Sequence, residues 1–519
     1  MRSIAQQLFD IPHEWHDRVL YRTGKGSLTY AEVRAQMLLA AAWLQQLHGV
    51  SAGQRVAICL PKSLETVCLF YGVLAAGACF VPLQFNGPPD RLRQQLARLE
   101  PQLLITTRMM AQKFQRQSGT APLPPTVNIE MTDDGHGLDR LLHGISPLSQ
   151  STPVDPGDLA AIYFTSGSTG EPKGIMVSFG GMAGTVKALA VVDMTGDDRM
   201  INLTPLQYAS SMQLFYPLAG GCSIRIMTDE EAMFPDAIAA VLRQERITLW
   251  EGTATVLRLL VESDAAKGAE FDAIRRVKFV GERLPMTTLR KAMQTMPKAE
   301  FENAYGASEA FRILVYPVPR PLPDNLQMLP LGRPAAAYEL TLRNAAGAPV
   351  PDGEVGEICV VGDNVMMGYW KEPELTAASR IPGIAKSYRT GDLARLGEDG
   401  YYHFVGRADH RIKLRGHRFD LGEIEAALKS HPAVRDAVAI VLQAGPQKDR
   451  IFAAVLAAKS DKLGPELKAL CAKRLPAFAR PAGILRLDKF PQLPSGKVDR
   501  KALQALGVKL KPSKAPSRG

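Results

Sequence analysis

The feature that most constrains the fold of this chain is an alternation of short apolar runs with helical patterns between Leu28 and Phe404. The apolar runs, rich in Val, Ile and Phe, predict strands at Arg55–Cys59, Leu103–Thr106, Arg276–Val280 and Glu357–Val361. Helices are predicted over Ala31–Gln46 and Asp236–Arg246. This alternation is typical of layered α/β domains, so we predict an α/β fold class. With 519 residues, 46% of them hydrophobic, the chain can form more than one domain core.

The pattern changes twice towards the C-terminus. Between Pro351 and Tyr402, glycines are spaced as the turns of short hairpins, which predicts a small β subdomain. Beyond Asp409 the pattern restarts, and we predict a helix over Leu421–Lys429, a strand over Asp436–Leu442 and a helix over Gly464–Arg474. We therefore predict an N-terminal domain over residues 1–408, a small α+β lid over residues 409–508 and a disordered basic tail over residues 509–519.

Several functional classes are disfavoured by composition. The six cysteines are far apart, form no CxxC pair and accompany no histidine cluster at zinc spacing, so we expect buried, reduced thiols. The N-terminus has no signal-like pattern and no run of about 18 apolar residues occurs, so we expect a cytoplasmic chain without membrane insertion. The net charge is +10, but basic and acidic residues are interleaved, so no nucleic-acid partner is expected.

A loop rich in hydroxyls and glycine follows the apolar run that ends at Phe164. Thr165, Ser166, Ser168 and Thr169 surround Gly167 and Gly170, and Lys173 follows shortly after. Inward-pointing backbone amides, hydroxyls and a lysine suit the binding of a phosphate chain. The GxxxxGK[ST] pattern does not fit these glycines. From the residues alone, a phosphate loop and an ordinary surface turn remain equal alternatives.

Further motifs follow in a fixed order. They are Asn303–Glu309 ("NAYGASE"), Gly368–Trp370 ("GYW"), Tyr388–Asp392 ("YRTGD"), Gly406–Asp409 ("GRAD"), Lys413–Gly416 ("KLRG") and Gly496-Lys497. Together with the loop, they resemble the adenylate-forming superfamily, which includes acyl-CoA synthetases, firefly luciferase and the adenylation domains of nonribosomal peptide synthetases. The resemblance extends from about Leu28 to Leu503. It implies that a carboxylate attacks the α-phosphate of ATP to give an acyl adenylate and pyrophosphate, and that a thiol then takes the acyl group.

The resemblance also implies roles for individual residues. The loop from Thr165 to Lys173 would hold the β- and γ-phosphates, and Ser308 would hydrogen-bond the α-phosphate. Glu309 would hold Mg²⁺, which retains waters and takes other ligands from the phosphates. The remaining nucleotide contacts would come from Tyr305 against adenine, the flanking Asn303 and Gly306, Gly281 and Glu282 on the adenine side, and Asp392 and Arg407 near the ribose.

Three further residues belong to the predicted lid or its boundary. Lys497 would reach the substrate carboxylate and the α-phosphate, where one charge contact at about 4 Å is worth about 4 kcal/mol. Asp409 matches the pivot about which the lid of the family moves, although an interdomain turn without motion remains an alternative. Gly416 would let a pantetheine arm pass close to the backbone, because glycine has no side chain.

The segment that corresponds to the acyl pocket departs from the family pattern. Members that activate amino acids carry an aspartate there, which pairs with the substrate ammonium. Here the corresponding position is Gln207 or Tyr208, and no acid occurs between Asp198 and Asp229. We therefore predict an acid without a free α-amine, bound by walls that include Gln207, Tyr208, Met212 and Phe215. An acid supplied from elsewhere in the chain remains an alternative.

The lid motifs bear on the acceptor of the acyl group. The stretches Leu414–Glu425 and Pro494–Leu503 resemble the peptide-synthetase branch, and no carrier domain follows Leu503. We therefore expect a separate phosphopantetheine carrier protein, steered by the basic residues Arg407, Arg411, Lys413, Arg415 and Arg418. An acyl-CoA ligase that uses free CoA and a nucleotide-binding protein without catalysis are the alternatives.

Overall fold

The computed structural model of the protein describes residues 2–85, 87–116, 122–130, 137–165, 172–189, 194–268, 271–323, 326, 328–408, 411–414, 417–442, 450–457, 462–491 and 498–508. The chain divides into two compact units. Unit 1 comprises Met1–Phe85, Leu96–Phe164 and Gly174–Ala408. Unit 2 comprises Asn86–Gln95, Thr165–Lys173 and Asp409–Gly519.

The strands of the described residues are short, mostly of four to eight residues. They are β1 (Val19–Arg22), β2 (Ser27–Thr29), β3 (Arg55–Cys59), β4 (Cys79–Pro82), β5 (Leu103–Thr106), β6 (Thr126–Asn128), β7 (Leu159–Thr165), β8 (Lys173–Ser178), β9 (Arg199–Asn202), β10 (Ser223–Ile226), β11 (Leu249–Thr253), β12 (Arg276–Val280), β13 (Glu300–Ala307), β14 (Ala310–Val318), β15 (Arg333–Pro334), β16 (Glu339–Arg343), β17 (Val355–Val361), β18 (Gly368–Tyr369), β19 (Ser387–Leu396), β20 (Tyr402–Arg407), β21 (Arg411–Leu414), β22 (His417–Asp420), β23 (Val434–Val441), β24 (Ile451–Ala457) and β25 (Gly483–Leu487).

Helices alternate with these strands. The α-helices are α1 (Ile4–Phe9), α2 (Tyr30–His48), α3 (Leu64–Ala75), α4 (Pro89–Leu99), α5 (Arg108–Gln115), α6 (Gly137–Leu142), α7 (Phe179–Leu189), α8 (Pro235–Gln244), α9 (Ala254–Glu262), α10 (Met286–Thr295), α11 (Pro373–Ala378), α12 (Leu421–Lys429), α13 (Leu463–Arg474) and α14 (Arg500–Val508). The 3₁₀ segments are His13–Trp15, Ala209–Ala219, Glu231–Met233, Asp264–Ala266 and Ala477–Ala479.

Unit 1 is built on three sheets. The largest has nine strands in the order β15-β14-β13-β12-β11-β9-β10-β1-β2. Its central strands, from β13 through β10 to β1, are parallel, so their carboxyl ends lie at one edge of the sheet. A seven-stranded sheet (β18-β8-β7-β4-β3-β5-β6) and an antiparallel four-stranded sheet (β16-β17-β19-β20) complete the unit. The four-stranded sheet occupies the stretch in which the glycine spacing predicts hairpins.

Local signals explain where the long helices begin and end. Helix α2 begins with a capping box, in which the Thr29 hydroxyl accepts from the Glu32 amide and the Glu32 carboxylate accepts from the Thr29 amide. It ends at Gly49, which adopts the left-handed conformation that glycine tolerates best. Helix α3 begins at an N-cap of the same residue class: the Ser63 hydroxyl accepts a hydrogen bond from the Thr66 amide. These caps fix the helices against the strands that flank them.

Two hydrophobic clusters form the core of unit 1. One contains aromatic contacts such as Phe70 stacked on Phe80, with ring centroids 4.6 Å apart. The other packs Trp250, Phe279 and Phe301, on one face of the nine-stranded sheet, against helices α8, α9 and α10. The opposite face of those strands is therefore directed away from this second cluster, because side chains alternate along a strand.

Unit 2 contains the antiparallel pair β21-β22 and the sheet β23-β24-β25. Helix α12 packs its buried face, with Ile424 and Leu428, against this three-stranded sheet. The predicted fold class, with a large α/β domain, a small β subdomain and an α+β C-terminal domain, is confirmed. The division at residues 408 and 409 stays a prediction, and the tail over residues 509–519 lies outside the described residues.

All six cysteines are buried and free. Among the described residues, no helix has both the length and the apolar character needed to cross a bilayer.

Candidate active site

The hairpin between β13 and β14 contains the "NAYGASE" motif. Ser308 and Glu309 form its two-residue turn, and Ser308 is partly exposed. At Gly306 a Cβ atom would lie 2.6 Å from the backbone nitrogen of Arg312, so only glycine fits the tight pairing of the two strands. Asn303 donates from Nδ2 to the Pro330 carbonyl oxygen at 2.8 Å. The motif is thus a rigid hairpin tip at the carboxyl end of a parallel strand.

A second motif meets this hairpin at Asp392. The Tyr305 hydroxyl donates to Asp392 Oδ2 at 2.5 Å. Arg407, the cross-strand partner of Asp392 between β19 and β20, donates to Asp392 Oδ1. Asp392 is 2% exposed. The structure therefore brings together three residues that the sequence predicts to contact one nucleotide.

The turn before Asp392 is held by Glu357 on the neighbouring strand β17. Its carboxylate accepts from Arg389 at 2.6 Å and from the Gly391 amide at 2.9 Å. The hydrogen bond that Arg389 donates to Glu357 raises the pKa of Arg389 above its usual value. Gly391 adopts a positive φ of 72°, which favours glycine. This network fixes the direction in which Asp392 leaves the turn.

The carboxylate of Glu309 is buried, with 4% of its surface exposed. Its Oε1 atom accepts from the Tyr369 hydroxyl at 2.9 Å, and its carbonyl oxygen accepts from the Met366 amide at 2.9 Å. The "GYW" motif therefore supports the predicted metal residue directly. An oriented carboxylate of this kind is an oxygen ligand of the type that Mg²⁺ takes.

The predicted adenine-side pair follows β12 without a break. Gly281 has a φ of 100°, a conformation open mainly to glycine. Glu282 accepts a hydrogen bond from the Thr255 hydroxyl of α9. Gly281 and Glu282 thus lie at the same sheet edge as Asn303.

Parts of the predicted site are only partly described. Thr165 ends β7, and Lys173 begins β8 with a buried side chain. The predicted residues Ser166, Gly167, Ser168, Thr169, Gly170, Asp409, Gly416 and Lys497 lie outside the described residues.

Two of the predicted acyl-pocket residues, Gln207 and Tyr208, directly precede the 3₁₀ segment Ala209–Ala219, and the other two, Met212 and Phe215, lie within it. Gln207 and Tyr208 are half-buried, whereas Met212 and Phe215 are fully buried in the core. Phe215 contacts Tyr71 edge to face, with ring centroids 5.1 Å apart. Met212 and Phe215 thus have a packing role, and an additional role in an acyl pocket stays a prediction for all four residues.

Comparison with known proteins identifies the family. The model of the AMP-binding enzyme family matches residues 9–370, and the model of the AMP-binding enzyme C-terminal domain matches residues 423–497. The chain belongs to the AMP-binding enzyme family. The family resemblance predicted from the motifs is thereby confirmed.

Relatives of this AMP-binding enzyme include a protein of similar length and much longer proteins. It is 33% identical to the L-proline--[L-prolyl-carrier protein] ligase of Streptomyces coelicolor, over 92% of each chain. It is 29% identical to surfactin synthase subunit 1 of Bacillus subtilis over 92% of its own length, but spans only 13% of that relative. The solved amide bond synthetase of Marinactinospora thermotolerans is 25% identical, covers 97% of this chain and 99% of its own, and superposes with a TM-score of 0.82.

The AMP-binding enzyme also contains a group of polar residues that the motifs do not predict. Asn202, Glu251, Lys278 and Glu302 occupy one register position on the adjacent strands β9, β11, β12 and β13. We call these four residues the polar row. Glu302 also accepts a hydrogen bond from Arg312 of β14. In the sequence, each member is a polar residue within or at the end of a strand that also contains apolar residues, and that was the available signal.

Burial changes the acidity of the two central members of the polar row. Desolvation raises the pKa of Glu251, although Lys278, Arg312 and a hydrogen bond from Tyr216 act in the opposite direction. Desolvation likewise lowers the pKa of Lys278, against the opposing effect of Glu251. Both side chains nevertheless keep some accessible surface. Limited access combined with strong desolvation is typical of groups that line a concave site.

Proposed function

We propose that this AMP-binding enzyme activates a carboxylic acid with ATP as an acyl adenylate, releases pyrophosphate, and transfers the acyl group to the phosphopantetheine thiol of a separate carrier protein. The observation that carries the proposal is the convergence of Tyr305 and Arg407 on the buried carboxylate of Asp392. This arrangement joins two motifs that the family resemblance assigns to one nucleotide.

The geometry supports a ribose site at Asp392. An ionised carboxylate only accepts hydrogen bonds, and a ribose presents two adjacent hydroxyl donors. Arg407 contacts and orients this carboxylate, and the ring of Tyr305 adds a planar surface beside it. The residues Asn303, Gly281 and Glu282 at the same sheet edge would then face the adenine.

Glu309 is the residue that would hold Mg²⁺. The Tyr369 hydroxyl fixes its carboxylate, and one carboxylate suffices because Mg²⁺ retains waters and binds substrate phosphates. When bound, the ion neutralises charge on the phosphates during attack by the carboxylate. Ser308, in the same turn, would donate to the α-phosphate.

Lys497 is the remaining residue to which we assign a role in adenylate formation, the first half-reaction. Its positive charge would lie between two anions, the substrate carboxylate and the α-phosphate, and so would favour the transition state. The loop from Thr165 to Lys173 would hold the leaving pyrophosphate. Asp409 would act as the pivot of the lid, and Gly416 would border the path of the thiol.

Support for a carrier-protein acceptor comes from the relatives. One of them, similar over nearly its whole length, is named as a ligase of L-proline to a carrier protein. Its name supports the acceptor class and leaves the acid of the present enzyme open, because the acyl-pocket segment lacks the aspartate of amino-acid-activating members.

The first half-reaction is tested by pyrophosphate exchange into ATP with a panel of amino, aryl, fatty and hydroxy acids. We expect exchange with at least one acid, and a loss of about a hundredfold or more in Lys497→Ala. The matched control is Lys489→Ala, because Lys489 is an exposed lysine of the same unit. Exchange that is unchanged in Lys497→Ala would remove the assigned role of Lys497, and absence of exchange with every acid would contradict the proposal.

The acceptor is tested separately with the best acid of that panel. We expect a phosphopantetheinylated carrier protein to be acylated much faster than free CoA at equal concentration, at a rate that falls with added salt. Efficient acylation of CoA with no transfer to a carrier from the same organism would instead establish an acyl-CoA ligase.

A further inference from the structure

A second concave site of unit 1 lies at the other edge of the nine-stranded sheet. The predicted nucleotide contacts Gly281 and Glu282 follow the carboxyl end of β12, whereas this cavity borders the amino ends of β9 and β10 and the end of helix α8. Its volume is about 200 Å³. Arginines contribute much of its lining, and we call it the arginine cavity after Arg22, Arg199, Arg225 and Arg246.

The register of three adjacent strands brings these arginines to one face of the sheet. Arg199 of β9 pairs with Ser223 of β10, and Arg22 of β1 pairs with Arg225 of β10. Ser223 and Arg225 are two positions apart, so their side chains project to the same side. Since β9 and β1 flank β10, their backbones lie about 10 Å apart, and long side chains from both strands can reach one ligand.

The carboxylate that lines the cavity is held by a buried arginine. The side chain of Arg225 is 5% exposed and donates from Nε to Glu245 at 2.7 Å. It also donates from Nη2 to Glu231 at 3.3 Å and to the Ile226 carbonyl oxygen. Glu245 therefore compensates the charge of Arg225, which forms the floor of the cavity together with it.

The other three arginines of the cavity are exposed and have no such compensation. In the described part of the chain, no carboxylate forms an ion pair with Arg22, Arg199 or Arg246. Arg199 donates from Nε to the Arg246 carbonyl oxygen at 3.0 Å, which leaves its two terminal nitrogens for a ligand. Three guanidinium groups beside one concavity repel each other, and an anion between them relieves that repulsion.

The backbone of Arg246 gives a second indication of a binding site. Arg246 follows α8 with a φ of 47°, the left-handed conformation that glycine or asparagine usually adopts after a helix. For an arginine this conformation costs roughly 1–2 kcal/mol. Residues held in such conformations cluster at ligand sites. The position of the Arg246 guanidinium beside the cavity is a reason for an arginine to stand there.

The charge and the size of the arginine cavity define the class of ligand. Arginine binds phosphate oxygens through parallel N–H donors, and it does so more specifically than lysine. One phosphate carries about two negative charges and two linked phosphates carry about three, which matches three uncompensated guanidinium groups. The cavity is smaller than the roughly 300 Å³ at which pockets begin to enclose drug-sized ligands, so it fits an anionic group and not a whole cofactor.

We propose that the arginine cavity is a diphosphate-binding site, separate from the candidate active site, in which Arg22, Arg199 and Arg246 bind the ligand. Arg225 and Glu245 position the floor and do not bind. Inorganic pyrophosphate and the diphosphate end of a larger metabolite present the same chemistry to this site. The inference goes beyond the proposed adenylation and does not depend on it, because it is tested by binding.

The test is calorimetric titration of the full chain with inorganic pyrophosphate. Mg²⁺ and saturating α,β-methylene-ATP are present, so that the candidate nucleotide site is occupied. We expect saturable binding at one site per chain, at least about tenfold tighter than the binding of inorganic phosphate. A titration with isopentenyl diphosphate distinguishes the two sources. Affinity equal to that of pyrophosphate indicates the end of a larger metabolite, and weaker binding indicates pyrophosphate itself.

Variants connect this binding to the arginine cavity. Arg22→Gln and Arg199→Gln each remove one guanidinium group and should raise the Kd for pyrophosphate at least about tenfold. The Arg22 side chain has no hydrogen-bond partner among the described residues, so its replacement should leave the fold intact. The matched control is Arg243→Gln. Arg243 is an exposed arginine in the last turn of α8 that donates to the Ala265 carbonyl oxygen at 2.6 Å, outside the cavity. The control should bind pyrophosphate as the wild type does.

The outcomes separate a binding site from a structural role of the arginines. Absence of saturable pyrophosphate binding at millimolar concentrations in the wild type would overturn the inference, as would unchanged binding in both Arg22→Gln and Arg199→Gln. A lower unfolding temperature of Arg199→Gln together with unchanged binding would mean that Arg199 only stabilises the end of α8. Failure of pyrophosphate exchange with every acid would refute the proposed function and leave this binding result unaffected.

Discussion

The side chain of Asp392 combines burial, a guanidinium partner and a phenol partner. We predict that Asp392→Asn lowers ATP affinity at least about tenfold, because the amide loses the charge and gains a donor where only acceptors fit. Calorimetric titration with ATP measures this, and thermal unfolding verifies that the variant folds. The control Asp363→Asn alters an exposed partner of Lys386 and should bind ATP as the wild type does. Equal affinity in Asp392→Asn would contradict the ribose assignment.

A second prediction concerns Glu309. Replacing it with Gln keeps the shape and the contact with Tyr369 but removes the charge that would hold Mg²⁺. The Mg²⁺ concentration for half-maximal exchange should therefore rise severalfold and turnover should fall. The control Glu398→Gln, at an exposed turn, should leave the titration unchanged. Superimposable Mg²⁺ titrations for Glu309→Gln and the wild type would refute the metal role.

At this scale the motifs predict which residues matter, but their mutual contacts require the fold. Tyr305 and Asp392 are 87 residues apart, and no local pattern indicates that their side chains meet. The hydrogen bond from the Tyr369 hydroxyl to Glu309 joins residues 60 positions apart, and no local sequence pattern indicates it either. Contacts of this kind follow from the pairing of distant strands, which a single sequence does not encode as a local signal.

Strand β17 acts on the site through Glu357, which holds Arg389 and the Gly391 amide on β19. We predict that Glu357→Gln destabilises the protein by about 2 kcal/mol, because it replaces charge-assisted hydrogen bonds by weaker ones. It should also lower ATP affinity, because Asp392 follows Gly391 directly. Urea unfolding and ATP titration measure the two effects. Glu339→Gln, an exposed position on the neighbouring strand β16, is the control. A loss of stability without any loss of affinity would mean that the turn does not position Asp392.

The prediction of individual elements succeeded where one physical signal dominated. β3, β5 and β12 are found at the predicted residues, because buried parallel strands form apolar runs with sharp ends. The polar row was missed for the opposite reason. An isolated charge in a strand such as Leu249–Thr253 looks like an ordinary solvent-facing position. Only the register of neighbouring strands reveals that four such positions coincide.

On the scale of the whole molecule, the buried thiols are the first acidic groups to affect stability as the pH rises above neutrality, because their ordinary pKa lies below that of the buried tyrosines, whose pKa values burial also raises. Burial raises the pKa of all six cysteines above the ordinary value of 9.0, for example to about 12 for Cys59 and to about 11 for Cys471. These thiols ionise in the unfolded chain before they ionise in the folded protein. Their stabilisation is therefore complete below about pH 9 and is lost as the pH rises towards the folded values.

We predict that the free energy of unfolding falls above about pH 9, with each ionised thiol contributing about 1.4 kcal/mol per pH unit. Lys62 and Lys278 oppose this fall, because burial lowers the pKa of both, to about 8 for Lys62, and the cost of burying their charges is relieved at higher pH. The six thiols outnumber these two lysines. Urea unfolding under reducing conditions at a series of pH values measures the slope. Cys471→Ala removes one buried thiol, so the fall of the unfolding free energy with pH should become shallower by the contribution of that thiol. A free energy that rises or stays constant between about pH 9 and pH 10.5 would contradict this account.

The opposite charges of Glu251 and Lys278 in the polar row have a consequence for how the nine-stranded sheet can evolve. A single mutation at Glu251 or Lys278 removes the nearest opposite charge of a desolvated neighbour, so such intermediates are less stable than the parent. A lineage that changes one of these residues must therefore change its neighbour almost at once, or first accumulate stabilising mutations elsewhere. The row thus acts as an epistatic barrier: descendants of this enzyme will retain its charge pattern long after the residues around it have diverged.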